Sequence, residues 1–112
     1  MVACQASGAD LVVRAFDAAL AEPSAVDRVS SIALSICDPR PGGHVLAALR
    51  ESDGLAVAVE DEEIMEAAVL LSGNGLLVDP AAAAPVAVAR RLAPQIGGET
   101  AVCLLTAEGN RW

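Results

Sequence analysis

The chain contains no lysine; all seven basic residues are arginines. It therefore has no side-chain amine able to condense with a carbonyl compound, and arginine cannot stand in because its guanidinium stays protonated. Tyrosine is also absent, and Phe16 and Trp112 are the only aromatics. With 54% hydrophobic residues, the interior must be built from Ala, Val and Leu, whose small volumes favour close helix-on-sheet packing. Basic charge is scarce too. Seven arginines face fifteen carboxylates, for a net charge of −8. No basic stripe exists beyond the adjacent pair Arg90-Arg91, so nucleic acid and anionic membrane surfaces are poor partners. No apolar run reaches membrane-spanning length. No charged and apolar leader pattern opens the chain, and the expected compartment is the cytoplasm. Cysteine is too sparse for a disulfide framework. Cys4, Cys37 and Cys103 are odd in number and widely spaced, and no zinc motif is formed.

What the chain does have is apolar surface. Mean hydropathy is +0.51, more than a small layered domain hides easily, so an exposed apolar face marking an interface is expected. The 112 residues suit one domain. Met1–Gln5 reads as a buried strand. Ala9–Ala21 reads as a helix on Val12, Phe16 and Ala19, stopped by Pro23-Ser24. Ser30–Gly43 is irregular and ends in the loop Cys37–Gly43. Val45–Glu51 suits a short helix, and Leu55–Val59 a strand. Glu60–Leu71 is a helix with Ile64, Ala67, Ala68 and Leu71 on one stripe behind an acidic first turn. Leu76–Val78 and Ala101–Leu105 read as further strands. Asp79-Pro80 is a cap and first-turn pair for a helix reaching Arg90-Arg91-Leu92. Pro85 is awkward in that helix: either the helix starts later or it kinks. Strands alternating with helices predict an α/β fold, three-layer-like or an open, mostly parallel sheet with flanking helices.

The ordered segments resemble the C-terminal stretch of threonine synthases, pyridoxal-phosphate (PLP) enzymes of fold type II related to the tryptophan synthase β-subunit. Four pieces carry the resemblance in collinear order. They are Ala3-Cys4-Gln5-Ala6 with Gly8–Phe16; Ala47–Ser52 with Gly54, Ala56–Val59 and Asp61–Ile64; Gly75–Ala84; and Ala101–Thr106 with Gly109. The resemblance implies a partial fold-type II domain. It also implies a PLP-dependent lyase converting O-phosphohomoserine to threonine. It places Thr106 at the pyridine nitrogen of the cofactor, and the loop Ile36–Pro39, with Cys37 and Asp38, along the ring. The family's Schiff-base lysine and its phosphate-cradling glycine loop have no counterpart here. Its Gly-Asn-Pro is Cys37-Asp38-Pro39, and its terminal Gly-His is Ala107-Glu108.

Each marked residue also has a plain structural reading. Thr106 can satisfy local backbone groups at a strand end. Asp38 before Pro39 is an ordinary turn residue. Cys37, Asp38 and His44 supply three metal ligands where structural zinc takes four. Cys37 with His44 lacks a third, orienting group for nucleophilic catalysis. His44 reads as a solvated residue at a helix start. The expectation is a truncated or separately encoded segment, inactive alone, that self-associates or completes a site with a lysine-bearing partner chain. The alternative is a non-catalytic binding or oligomerisation module.

Overall fold

The structure is a computed structural model and describes residues 1–109; Trp112 lies outside them. Two strands, β1 (Val2–Ala6) and β2 (Leu55–Val59), pair in parallel, with Val2 opposite Leu55 and Ala6 opposite Val59. Between them run α1 (Leu11–Asp17) and α2 (His44–Glu51). After β2 come α3 (Asp61–Gly73) and α4 (Pro80–Ile96).

Strand periodicity sets the layers. Successive side chains point to opposite faces. Ala3 and Ala56 accordingly pack against Val12, Ala15, Leu46 and Leu49 of α1 and α2. Cys4, Ala6, Val57 and Val59 pack against Ile64, Ala67 and the alanines of α4. Each helix pair therefore covers one face of the sheet. The result is an α/β, three-layer arrangement with a parallel sheet, as the segment order predicts.

Local chemistry fixes the elements. Buried Gln5 turns its Oε1 to α1 and accepts from the Val12 and Val13 amides at 3.0 and 3.1 Å. Two of that helix's otherwise unpaired first-turn donors are thereby satisfied. α1 stops at Asp17, short of the expected Ala21, because Ala19 adopts φ 55° and Leu20 folds back onto the Ala15 carbonyl. Arg50 then takes up the Leu20 carbonyl. In α3 the expected stripe is present: Ile64 and Ala67 are buried, and Ala68 and Leu71 pack beside them. The Glu63 carboxylate reaches back to the Glu60 amide at 2.8 Å, and Glu60 accepts from Ser7 Oγ at 2.7 Å.

The long connection from α1 to α2 is held at few points. Ser31 Oγ and the Ile32 amide both donate to Asp61 at the start of α3. The Ser30 amide donates to the Gly8 carbonyl, and a Cβ on Gly8 would sit 1.6 Å from the Ser30 carbonyl oxygen. Only glycine permits that crossing.

Two expectations are corrected. α4 begins at Pro80, with Asp79 Oδ1 accepting from the Ala82 amide at 3.1 Å, and runs through Pro85 and Pro94 to Ile96. The later start is therefore overturned, and enclosure of the apolar face outweighs the two missing donors. Leu76–Val78 and Ala101–Leu105 form no strand ladder among the described residues. Val78 alone makes an isolated antiparallel bridge, to Glu108 beyond the expected last strand. Arg90 and Arg91 lie within α4 and reach Glu66 and Glu63 of α3.

Candidate functional site

Two chain segments converge after α3 and after α4. Gly75–Val78 turns into α4, and Leu105–Gly109 passes beside it. The Gly109 amide donates to the Leu77 carbonyl at 2.8 Å. A Cβ on Gly109 would meet Leu77 Cγ at 2.6 Å, so glycine sets how closely the walls approach. The cleft between them has a volume of about 510 Å³.

Thr106 lines this cleft and is exposed in it. Among the described residues its hydroxyl has no side-chain hydrogen-bond partner, so both its donor and its acceptors remain free. Among the described residues Glu108 is the one charged residue on the walls. A carboxylate there opposes binding of an anionic group, and no cationic side chain among the described lining residues offsets it.

Cys37 and Asp38 do not line the cleft. Cys37 follows a short 3-10 turn at Leu34–Ile36, its amide donating to the Leu34 carbonyl at 3.1 Å. Asp38 accepts from the Arg40 amide at 2.8 Å, which is the turn role open to any Asp before proline. The turn is nonetheless docked, since Ile36 packs onto the α3–α4 core. His44 is exposed at the first position of α2. Sequence reasoning read Leu76–Val78 as a strand and gave Leu76 and Leu77 no site role. Their place in the cleft follows only from the approach of the 105–109 segment, which no local pattern encodes.

Cys4 and Cys103 are half-buried. Burial, and secondarily the charge of Cys103, pushes the Cys4 thiol up to about 11. It stays protonated at neutral pH and is a poor nucleophile.

Comparison with known proteins fits this geometry. A family profile described as "Pyridoxal-phosphate dependent enzyme" matches residues 1–107. The chain belongs to the PLP-dependent enzyme family. It is 38% identical to a threonine synthase of Methanosarcina acetivorans over 95% of its own length and 28% of that protein. It is 34% identical to one from Methanocaldococcus jannaschii over 97% of its length and 28% of that protein. The chain thus spans just over a quarter of the length of these curated relatives. Among solved structures, a threonine deaminase from T.th. superposes with a TM-score of 0.77 at 24% identity, covering 98% of this chain and 39% of that one. A fungal L-serine ammonia-lyase from Rhizomucor miehei gives 0.74 at 18%, covering 97% and 36%. These two likenesses establish the fold, part of a fold-type II domain. The resemblance read from the sequence is borne out.

The residues present meet only part of the cofactor's needs. A hydroxyl faces the cleft, but the sequence holds no side-chain amine for covalent attachment, and the described cleft walls carry no cationic phosphate cradle.

Proposed function

We propose that this chain is a threonine-synthase-like segment of a PLP-dependent lyase, inactive alone, that completes a site with a partner chain carrying the lysine and the phosphate loop. The observation that carries the reading is the Thr106 hydroxyl in the cleft, without a partner among the described residues, on a chain without lysine. In this reading Thr106 supplies an uncharged hydrogen-bond partner for the pyridine nitrogen. Cys37 and Asp38 lie off the cleft in the docked turn, and only the resemblance puts them along the ring. The substrate carried over from the relatives is O-phosphohomoserine.

The test is reconstitution. The Methanosarcina acetivorans threonine synthase, without the quarter matched here, is mixed with this chain and threonine formation is followed. Turnover is expected in the mixture and in neither part alone. Thr106→Val should weaken it by about 1–3 kcal/mol, the range for leaving a buried polar partner unpaired. A borohydride-stable cofactor adduct on an internal residue of this chain alone would sink the reading. A second reading, a non-catalytic binding or oligomerisation module, draws support from Glu108 in the cleft and Asp38 tied into its turn. A stable complex without turnover would favour it.

A further inference from the structure

α3 is apolar on two sides. Ile64, Ala67, Ala68 and Leu71 pack into the core. Met65, Val69 and Leu70 do not; they are 46%, 67% and 47% exposed. At about 100° per residue the two sets point in opposite directions. The outer face of a helix that covers a sheet is ordinarily polar, and large apolar residues gathered on it mark a contact surface. Here they line a shallow groove of about 490 Å³ together with two charged residues, Glu66 of α3 and Arg90 of α4.

The two charges are little used within the chain. Arg90 Nη1 stands 3.7 Å from Glu66 Oε2, and the side chains are 48% and 69% exposed. That separation is beyond hydrogen-bond length, and an exposed pair so placed contributes little. The next residue, Arg91, by contrast donates twice to Glu63. Charge-assisted bonds form at about 2.7–2.9 Å, so Glu66 and Arg90 keep bonding capacity to spend on a neighbour.

We propose that this groove is the two-fold interface of a homodimer, in which Glu66 and Arg90 exchange partners between two copies of the chain across paired Met65, Val69 and Leu70. With the axis running between Glu66 and Arg90, each carboxylate faces the partner's guanidinium, and the four charges alternate in sign. An acidic partner would set like charge against Glu66, and a basic one against Arg90. A second copy supplies one charge of each sign at the matching spacing. The chain carries −8 overall, but the pair in the groove is neutral, and salt screens more distant charges beyond roughly 8–10 Å. None of the groove residues lines the Thr106 cleft. The dimer is thus independent of the lysine-bearing companion chain proposed above, and either can fail alone.

The experiment is sedimentation velocity on this chain over a micromolar concentration series. The unaltered chain should dimerise. Glu66→Arg and Arg90→Glu should each weaken the dimer at least tenfold, because each sets like charges together on both sides of the axis. Their equimolar mixture should dimerise at least as tightly as the unaltered chain, since one variant then offers two arginines and the other two glutamates. A pairing confined within one chain cannot be repaired by mixing. Val69→Asp should abolish association, and Leu104→Asp, on another exposed segment, should not. All four side chains are exposed, so far-UV circular dichroism should be unchanged in each variant. An unaltered chain that stays monomeric overturns the proposal, as does a mixture of the two charge variants that fails to dimerise. Association lost in Leu104→Asp and kept in Val69→Asp assigns it to the segment after α4 and overturns it equally. Each of these results leaves the partner reading standing.

Discussion

Arg91 of α4 grips Glu63 of α3 with two nitrogens: Nε donates to Oε1 at 3.0 Å, and Nη2 donates to Oε2. Its remaining Nη1 donates to the Ala58 carbonyl of β2. One side chain thereby ties two helices to a strand.

This pair predicts an acid-dependent stability. Burial alone would raise the Glu63 carboxyl, but the Glu60 amide and the Arg91 guanidinium outweigh it and hold the group below its ordinary value near 4.5. A folded value below the unfolded one means the contribution is full above about pH 4.5 and is lost as pH falls through the folded value. The side chains are 41% and 34% exposed, so solvent limits their coupling to about 0.5–1 kcal/mol. In urea titrations at stepped pH, Arg91→Ala should flatten the acid slope below pH 4.5. An unchanged slope would remove Arg91 as its cause.

Ile64 is fully buried between α4 and the sheet, whereas its neighbour Met65 is 46% exposed. Ile64→Ala should cost about 2–5 kcal/mol through lost burial and a cavity. Met65→Ala should stay within about 0.5 kcal/mol. Denaturant midpoints measured on both variants decide it, and equal costs would mean the helix presents a different face to the core.

Cys4 should resist alkylation. With its thiol raised from 9.0 to about 11, the thiolate fraction at pH 8 is roughly a hundredfold below that of an ordinary thiol. Iodoacetamide followed by peptide mass mapping should find Cys4 labelled at about that reduced rate. Because its folded value is raised, its contribution to stability is full below pH 9 and is lost as pH climbs through 11. Rapid labelling of Cys4 in the folded chain would show that β1 opens readily.

Without its companion the chain should self-associate. Val69, Leu77, Val102 and Leu104 are all more than 60% exposed, and two sheet edges are open. The charge of −8 opposes association, but salt screens it beyond roughly 8–10 Å. Light scattering over a concentration series should give a rising mass. A constant monomer mass up to tens of micromolar would mean these surfaces do not suffice.

The sequence was most legible where a pattern is local. The Ile64–Leu71 stripe, the Asp79-Pro80 cap and the parallel pairing implied by alternating elements all appear as read. Legibility failed where the deciding partner lies far along the chain. Nothing near Ala19 announces that Arg50 will take the Leu20 carbonyl and end α1 early. Nothing near Pro85 announces that surrounding elements will enclose the helix and carry it through. Ala101–Leu105 has the composition of a strand, but a strand needs a neighbour to bond to. For the site, Thr106 was legible through resemblance alone. The walls facing it required the fold.

Four consecutive alanines, Ala81–Ala84, are buried at the start of α4. At about 100° per residue they point in four directions spread around most of a circle, so this turn is enclosed on nearly every side and not merely along one stripe. Deletion is therefore not its vulnerability, since alanine has almost nothing to delete. Growth is. An added methyl group has little room in which to relax, and overpacking costs about 1–3 kcal/mol. Larger side chains at these four positions are therefore disfavoured, and this turn filters substitutions by size.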